Sequence, residues 1–209
     1  MTSTELDPKQ RLMASAAAAF LRDGYGAANL GEIARSAGIS KKTIYKYTES
    51  KAKLFSAVVE DSIRRAGALQ WLDHDDGSGS AKDALIEFMV THARLVFSEK
   101  GIATYRLVMA EARQFPELAR AYETVVAATA IQSLTNWFER RRPVQRFRIA
   151  SSERIATMLI SLVLSEPLRR AVIGVGSPPD EDQVRSSVEE AVDVLLRGIE
   201  GEQAAFGAE

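Results

Sequence analysis

The chain has 209 residues, enough for one or two domains with a substantial core, and its 46% hydrophobic and 26% charged residues are ordinary for a globular protein. It contains no cysteine, which excludes disulfide frameworks and thiolate metal sites. The formal net charge of −1, taken alone, argues against a nucleic-acid-binding protein. No apolar stretch is long enough to cross a bilayer, and no signal-peptide pattern is present, so we expect a cytoplasmic protein without a membrane partner.

Residues 29–47 predict two short helices joined by a tight turn. Asn29 can cap the first helix, with Glu32 completing a capping box, and Ser40 can cap the second. Gly38 lies between them, where a chain leaving a helix needs a positive φ. This pattern is typical of a helix-turn-helix.

The outer face of the second short helix carries cations, hydroxyls and a phenol. We expect Ile44 to face the first helix while Lys41, Lys42, Thr43, Tyr45 and Lys46 mostly remain outside. Such a face suits the major groove of DNA, where phosphates need cations and base edges need donors. The alternative is a solvated lysine face with tyrosines that pack locally.

Charge is distributed unevenly around this helix. Between residues 40 and 53 there are five lysines and a single acid, Glu49. A local basic face is sufficient for phosphate contacts, because salt screens the charges that lie farther away.

The rest of the chain is also predicted to be helical, which makes the fold all-α with about nine helices. Beside the two short helices, apolar periodicity predicts helices at residues 8–23, 51–72, 82–100, 102–114, 116–142, 155–168 and 183–200. Gly24 is the expected stop of the first, and residues 75–80 predict a loop. We expect a DNA-binding domain of three helices at 1–55, which includes the start of the linking helix 51–72. A helical regulatory and dimerisation domain follows at 56–209.

The central helices carry aromatic and polar side chains that could line a cavity for a small ligand. These candidates are Phe88, His92, Tyr105, Met109, Arg113, Tyr122, Trp137 and Phe138. An ordinary core is the alternative for each of them taken singly.

The last two helices have more apolar surface than one core can absorb. Four such helices, two from each chain, would form the interface of an isologous homodimer. The interface candidates are Ile155, Leu159, Leu162, Val188, Val192, Leu195 and Ile199.

The sequence does not indicate an enzyme. Its two histidines, His74 and His92, belong to different segments, and the motifs of metalloproteases, P-loop proteins and serine hydrolases are missing. We therefore expect no catalytic residues, no cofactor and no metal.

The segment from Gly24 to Phe55 closely resembles the DNA-binding domain of the tetracycline-repressor (TetR) family. The resemblance rests on Asn29–Tyr47, together with Gly24-Tyr25, Ser50-Lys51 and Leu54-Phe55. Two positions depart from the family pattern: Asn29 replaces the usual Thr or Ser, and Thr48 replaces the usual Phe. The segment 106–120 is similar to the regulatory half of AcrR- or AefR-like members.

This resemblance implies a dimeric regulator that binds an inverted-repeat operator in double-stranded DNA and represses until a small, largely apolar or aromatic molecule enters its C-terminal domain. It implies base or nearby phosphate contacts for Lys41, Lys42 and Lys46, and phosphate-backbone contacts for Thr43, Tyr45, Tyr47 and Lys51. The complete set of candidate DNA-binding residues is Asn29, Ser40, Lys41, Lys42, Thr43, Tyr45, Lys46, Tyr47 and Lys51. The alternative is a helix-turn-helix regulator whose C-terminal half only dimerises, and which is either independent of any ligand or controlled by a protein.

Overall fold

A computed structural model of the chain describes residues 7–66, 72, 79–145 and 147–199. In these ranges it contains nine helices and no strand, which confirms the all-α prediction. They are α1 (Pro8–Ala27), α2 (Leu30–Ser36), α3 (Lys41–Tyr47), α4 (Lys51–Ala66), α5 (Ala81–Phe97), α6 (Glu99–Glu111), α7, α8 (Ser152–Val172) and α9 (Glu181–Ile199). Helix α7 begins as Pro116–Tyr122, passes through a π-helical turn at Glu123–Ala127 and continues as Ala128–Gln145. The sequence pattern did not predict this turn.

Packing divides the chain into two compact units. The first contains the described residues up to Ala66 together with Ser98–Thr129, and the second contains those of Gly67–Phe97 and of the chain from Ala130 onward. The first unit includes α6 and the start of α7 because α6 packs on α1, and the start of α7 packs on α4. The domain division after residue 55 remains a prediction. Most of the predicted loop 75–80, the end of the predicted linking helix and the tail beyond 199 lie outside the described residues.

The core of the first unit is an aromatic cluster between α1 and α4. The ring centroid of Phe20 lies 5.8 Å from that of Tyr25 and 5.6 Å from that of Phe55. Helix α1 begins with a complete capping box between Asp7 and Gln10. Gly24 interrupts it at a φ of 83°, which confirms the predicted stop. Tyr25 can therefore turn back into the cluster.

The core of the second unit is built from α5, the second part of α7, α8 and α9. Trp137 and Phe138 are completely buried in it, with ring centroids 5.1 Å apart. The guanidinium of Arg141 is also buried there, where it donates to the Gly79 carbonyl at 2.8 Å and lies 5.3 Å from the Trp137 ring. A charged group can be buried in this way because its donors and its planar face both find partners.

Candidate nucleic-acid interface

The two short helices form as the sequence predicts. Asn29 is the N-cap of α2, where its side-chain oxygen accepts the N–H of Gly31 at 2.8 Å and that of Glu32 at 3.4 Å. Among the hydrogen bonds of the described residues, no bond returns from the Glu32 carboxylate to the Asn29 N–H. Only the first half of the predicted capping box is therefore present.

The turn between α2 and α3 is closed from two sides. Gly38 has a φ of 67°, which confirms the predicted left-handed position. The next residue, Ile39, donates its N–H to the Ala34 carbonyl at 3.0 Å, and this bond returns the chain across the end of α2. From α1, the Nε of Arg11 donates to the Ala37 carbonyl at 3.0 Å. Sequence reasoning missed Arg11, because it lies 26 residues from the carbonyl that it holds.

Helix α3 is held by one cap and one buried side chain. The Ser40 hydroxyl accepts the Thr43 N–H at 3.0 Å, and Ile44 is completely buried. At 3.6 residues per turn, Lys42 and Lys46 lie about 160° and 200° around the helix axis from Ile44. The side that faces away from the protein therefore presents two ammonium groups.

Most of the candidate DNA-binding side chains lie at the surface of the first unit. Tyr45 is 53% exposed and Tyr47 is exposed as well, so neither tyrosine is a packing residue of the core. The three lysines of α3 are exposed, and Thr43 is half-buried. The geometry thus presents cations, a hydroxyl and two phenols on a seven-residue helix.

Lys51 is placed differently from the other candidates. Its ammonium group donates to the carbonyls of Gly26 at 2.8 Å and Ala28 at 3.2 Å. It also lies 4.8 Å from the centre of the Tyr25 ring. In this conformation Lys51 holds the chain segment that precedes α2, and its predicted phosphate contact remains a prediction.

Thr48, at the position where the family usually has Phe, is buried. Its hydroxyl donates to the Ser50 carbonyl at 2.8 Å, and its N–H donates to the Ile44 carbonyl at the end of α3. The hydroxyl is thus satisfied locally. A small polar residue can occupy the site at the junction of α3 and α4 without an unpaired donor.

The eight candidate ligand residues are divided between the two units. Phe88, His92, Trp137 and Phe138 belong to the second unit and are buried, whereas Tyr105, Met109, Arg113 and Tyr122 belong to the first. In the first unit the rings of Tyr105 and Tyr122 are 5.9 Å apart, and Met109 is 56% exposed.

Burial changes the protonation chemistry of two of these residues. It lowers the pKa of His92 to about 4, and the imidazole stacks on the Phe88 ring with centroids 6.0 Å apart. It raises the pKa of Tyr122, to which the neighbouring Tyr105 and Glu123 contribute as well. Both groups are therefore neutral near pH 7.

The candidate interface residues are mostly buried within the protomer itself. Leu159, Val188, Val192, Leu195 and Ile199 belong to the core of the second unit, and Ile155 is half-buried against it. Leu162 is 58% exposed, as are Met158 on the same helix and Val194 on α9, at 54% and 61%. The apolar surface that remains outside is therefore carried largely by residues other than those predicted.

The described residues contain no group of three or more side chains that could hold a metal ion. None of the helices in the described part of the chain is long and apolar enough to cross a membrane.

An all-α chain whose helix-turn-helix presents cations and phenols on its second helix is a DNA-binding protein of the helix-turn-helix class. A family model described as "Bacterial regulatory proteins, tetR family" matches residues 12–58. A second, described as "AefR-like transcriptional repressor, C-terminal domain", matches residues 83–198, more than half of the chain. The chain belongs to the TetR family of DNA-binding transcription regulators, which are not enzymes.

The relatives of this chain include both a transcriptional repressor and a transcriptional activator. The chain is 32% identical over 88 residues to the HTH-type transcriptional repressor SCO4008 of Streptomyces coelicolor, covering 42% of this chain and 45% of that one. It is 24% identical over 163 residues to the HTH-type transcriptional activator FasR of Mycolicibacterium smegmatis, covering 65% and 74%. The solved structure of the Flavonoid-responsive Regulator FrrA has a TM-score of 0.71 and 24% identity over 93% of this chain and 98% of that chain. The chain thus spans less than half the length of SCO4008 and nearly all of the FrrA fold.

Proposed function

We propose that the protein is a homodimeric repressor that binds an inverted-repeat operator through α3 and leaves it when a small, largely apolar or aromatic ligand binds. The observation that carries this proposal is the arrangement of α3, with Ile44 buried and Lys42 and Lys46 on the opposite side. The description of the C-terminal domain as that of a repressor supports the direction of regulation. The family description as bacterial regulatory proteins supports a cytoplasmic location, because bacterial DNA lies in the cytoplasm.

The outward lysines and the hydroxyl-bearing residues have different roles in this proposal. Lys42 and Lys46 reach base edges or the nearest phosphates, since an ammonium group can donate to guanine O6 and N7. Thr43, Tyr45 and Tyr47 bind the phosphate backbone and fix the register of α3 in the major groove. Because the protein is two-fold symmetric, an operator with two half-sites on one face of the DNA is expected.

The operator is found by selecting fragments of the source genome that the purified protein binds. Lys42→Ala and Tyr45→Ala should then weaken binding to that fragment while the fold and the oligomeric state stay unchanged. We expect a loss of about 1–3 kcal/mol for a lysine that reads a base, and a salt dependence shallower by about one unit per lost lysine–phosphate contact.

Lys100→Ala is the matched control, because Lys100 is an exposed lysine at the start of α6, outside the helix-turn-helix. It should retain the affinity of the natural protein. If Lys42→Ala and Tyr45→Ala retain it too at fixed moderate salt, α3 is not the DNA-binding element.

For the homodimer, we propose that the exposed apolar residues of α8 and α9 form the interface. Met158 and Leu162 are four residues apart on α8, so they share one face of the helix. Leu162→Glu and Val194→Glu should yield monomers in sedimentation velocity. Ala18→Glu, which adds the same charge at an exposed position of α1, should remain dimeric. Dimers in both interface variants would place the interface elsewhere.

For the ligand, we propose contacts with the candidates that keep accessible surface, Tyr105, Met109, Arg113 and Tyr122. FrrA is described as flavonoid-responsive, so flavonoids are the first compounds for an operator-release assay by fluorescence anisotropy, followed by other apolar aromatic molecules. Tyr105→Ala should weaken release by an active compound and leave operator affinity unchanged. Unchanged release would remove Tyr105 from the ligand site.

The complete burial of Phe88, Trp137 and Phe138 favours a second candidate function. In this candidate the C-terminal half only dimerises, and the regulator is either independent of any ligand or controlled by a partner protein. That candidate predicts that no small molecule releases the protein from the operator. The monomeric Leu162→Glu variant should still lose its operator affinity under that candidate. Release by any single compound decides against it.

A further inference from the structure

A carboxylate from α6 holds the segment that runs from the interruption of α1 at Gly24 to the residue before the N-cap of α2. This segment, Gly24–Ala28, is here called the α1–α2 loop. The N–H groups of Tyr25 and Gly26 donate to the two oxygens of Glu111, at 3.0 Å and 2.8 Å. Glu111 is the last residue of α6, and it lies 85 residues from Gly26 along the chain.

A cation holds the same loop through its carbonyl groups. Lys51 donates to the carbonyls of Gly26 and Ala28. Gly26 therefore binds both side chains: its N–H donates to the Glu111 carboxylate, and its carbonyl accepts from the Lys51 ammonium group. Hydrogen bonds to ionised groups are stronger than those between neutral groups. The backbone conformation of the loop is therefore fixed by charged side chains from two other helices.

The loop also fits closely against the chain that follows Glu111. The ring of Phe115 lies 5.3 Å from that of Tyr25. A Cβ added at Gly26 would lie 2.8 Å from the Phe115 ring and 3.3 Å from Glu111 Oε2. Any larger residue at position 26 would therefore displace the Phe115 ring, and this close approach, not a left-handed φ, explains the glycine.

We propose that Glu111 is a positioning residue for operator binding. The inference rests on the proposed DNA-binding function. The α1–α2 loop ends directly before Asn29, whose side chain caps α2, and α2 carries the turn that leads to α3. By holding the loop, the Glu111 carboxylate fixes where α2 begins. Glu111 belongs to the segment that matches the AefR-like C-terminal model, so this segment holds the helix-turn-helix directly.

Glu111→Gln tests the carboxylate with little change in shape. A glutamine has one acceptor oxygen, and its amide nitrogen would meet the second backbone N–H donor to donor. We expect operator affinity to fall by about tenfold at fixed salt, because one of the two charge-assisted bonds to the loop is lost and the start of α2 is held less firmly.

The sign of the change separates positioning from simple charge. If Glu111 were only a negative charge near DNA, its removal would strengthen binding to the polyanion or leave it unchanged. The matched control is Glu99→Gln, which removes the same charge from an exposed residue at the other end of α6. The salt dependence of binding should be the same in both variants and in the natural protein, because neither residue touches a phosphate.

A double-mutant cycle with Gly26→Ala tests whether the two residues act through one contact. Gly26→Ala displaces the ring and the carboxylate from the side of the loop, so it should also lower operator affinity. If both changes break the same contact, their effects do not add. The operator affinity of the double variant should then lie within twofold of the affinity of whichever single variant binds less tightly. Losses that multiply instead overturn the proposed contact.

Amide exchange in the natural protein gives a readout that does not depend on the variants folding. The amides of Tyr25 and Gly26 should exchange slowly, and in Glu111→Gln the exchange of Gly26 should accelerate while that of the α8 core stays unchanged. Unprotected Tyr25 and Gly26 amides in the natural protein would overturn the inference. So would natural affinity in a folded Glu111→Gln. A natural protein that binds no genomic fragment would instead contradict the proposed function.

Discussion

Replacing Gly38 by alanine isolates the energy of the left-handed turn between α2 and α3. Gly38 has a φ of 67°, and a Cβ added there would meet no heavy atom within 4 Å. The substitution therefore introduces backbone strain without a steric contact. An alanine in the left-handed region costs about 1–2 kcal/mol, and about 0.4–1 kcal/mol is regained because alanine restricts the unfolded chain.

The expected net effect of Gly38→Ala is a loss of about 1 kcal/mol in the free energy of unfolding, or about 2–4 °C in Tm for a chain of this size. Gly38→Asn should lose less, since asparagine enters the left-handed region more readily than alanine does. Because the strain lies between α2 and α3, Gly38→Ala should also weaken operator binding.

Two other glycines provide controls of opposite kinds. Gly174 has a φ of 77° and open space at its Cβ, so Gly174→Ala should cost the same stability, but it lies in the second unit and should leave operator affinity unchanged. Gly198 lies in α9 with open space and no positive φ, so Gly198→Ala should stabilise the protein by up to about 1 kcal/mol. Thermal and urea unfolding measure all three. A Gly38→Ala variant as stable as Gly198→Ala would refute the strain argument.

Three further predictions concern buried residues. Ile44→Ala should lose about 2–5 kcal/mol in urea unfolding, whereas the exposed Lys46→Ala should change stability by less than about 0.5 kcal/mol. Thr48→Val should lose about 0.5–1.5 kcal/mol through the missing hydrogen bond to the Ser50 carbonyl, and a stabilised variant would contradict this role. His92 takes up a proton near its ordinary pKa of 6.5 only when the chain unfolds, because burial lowers its folded pKa to about 4. The contribution of His92 to the free energy of unfolding is therefore constant above pH 6.5. It falls by up to about 3 kcal/mol as the pH drops toward 4, and it levels off below pH 4. His92→Gln should abolish this pH dependence.

The sequence predicted those parts of the site that depend on neighbours along the chain. The caps at Asn29 and Ser40, the left-handed Gly38 and the buried Ile44 each follow from residues within one or two helical turns. These features are local, so composition and spacing determine them.

Contacts between distant segments were not predictable in this way. The periodicity of Leu159 and Leu195 indicates apolar helices correctly, but it does not tell which of two apolar faces packs into the protomer's own core. Lys51 has the position of a phosphate contact in the motif, and only the folded loop shows that its ammonium group binds two carbonyls. Nothing near Glu111 in the sequence indicates that its carboxylate binds the backbone before α2.

The shortness of α2 and α3 explains why such distant contacts matter for DNA binding. Each helix has seven residues, and isolated helices shorter than about 12–15 residues are marginal in water. Their helical state is therefore maintained by packing and caps: Ile44 in the core, Arg11 on the Ala37 carbonyl and the held α1–α2 loop. It follows that operator affinity depends on residues that never reach the DNA. Variants of Arg11, Gly38 and Glu111 should accordingly weaken binding without reducing its salt dependence, whereas variants of Lys42 should reduce both.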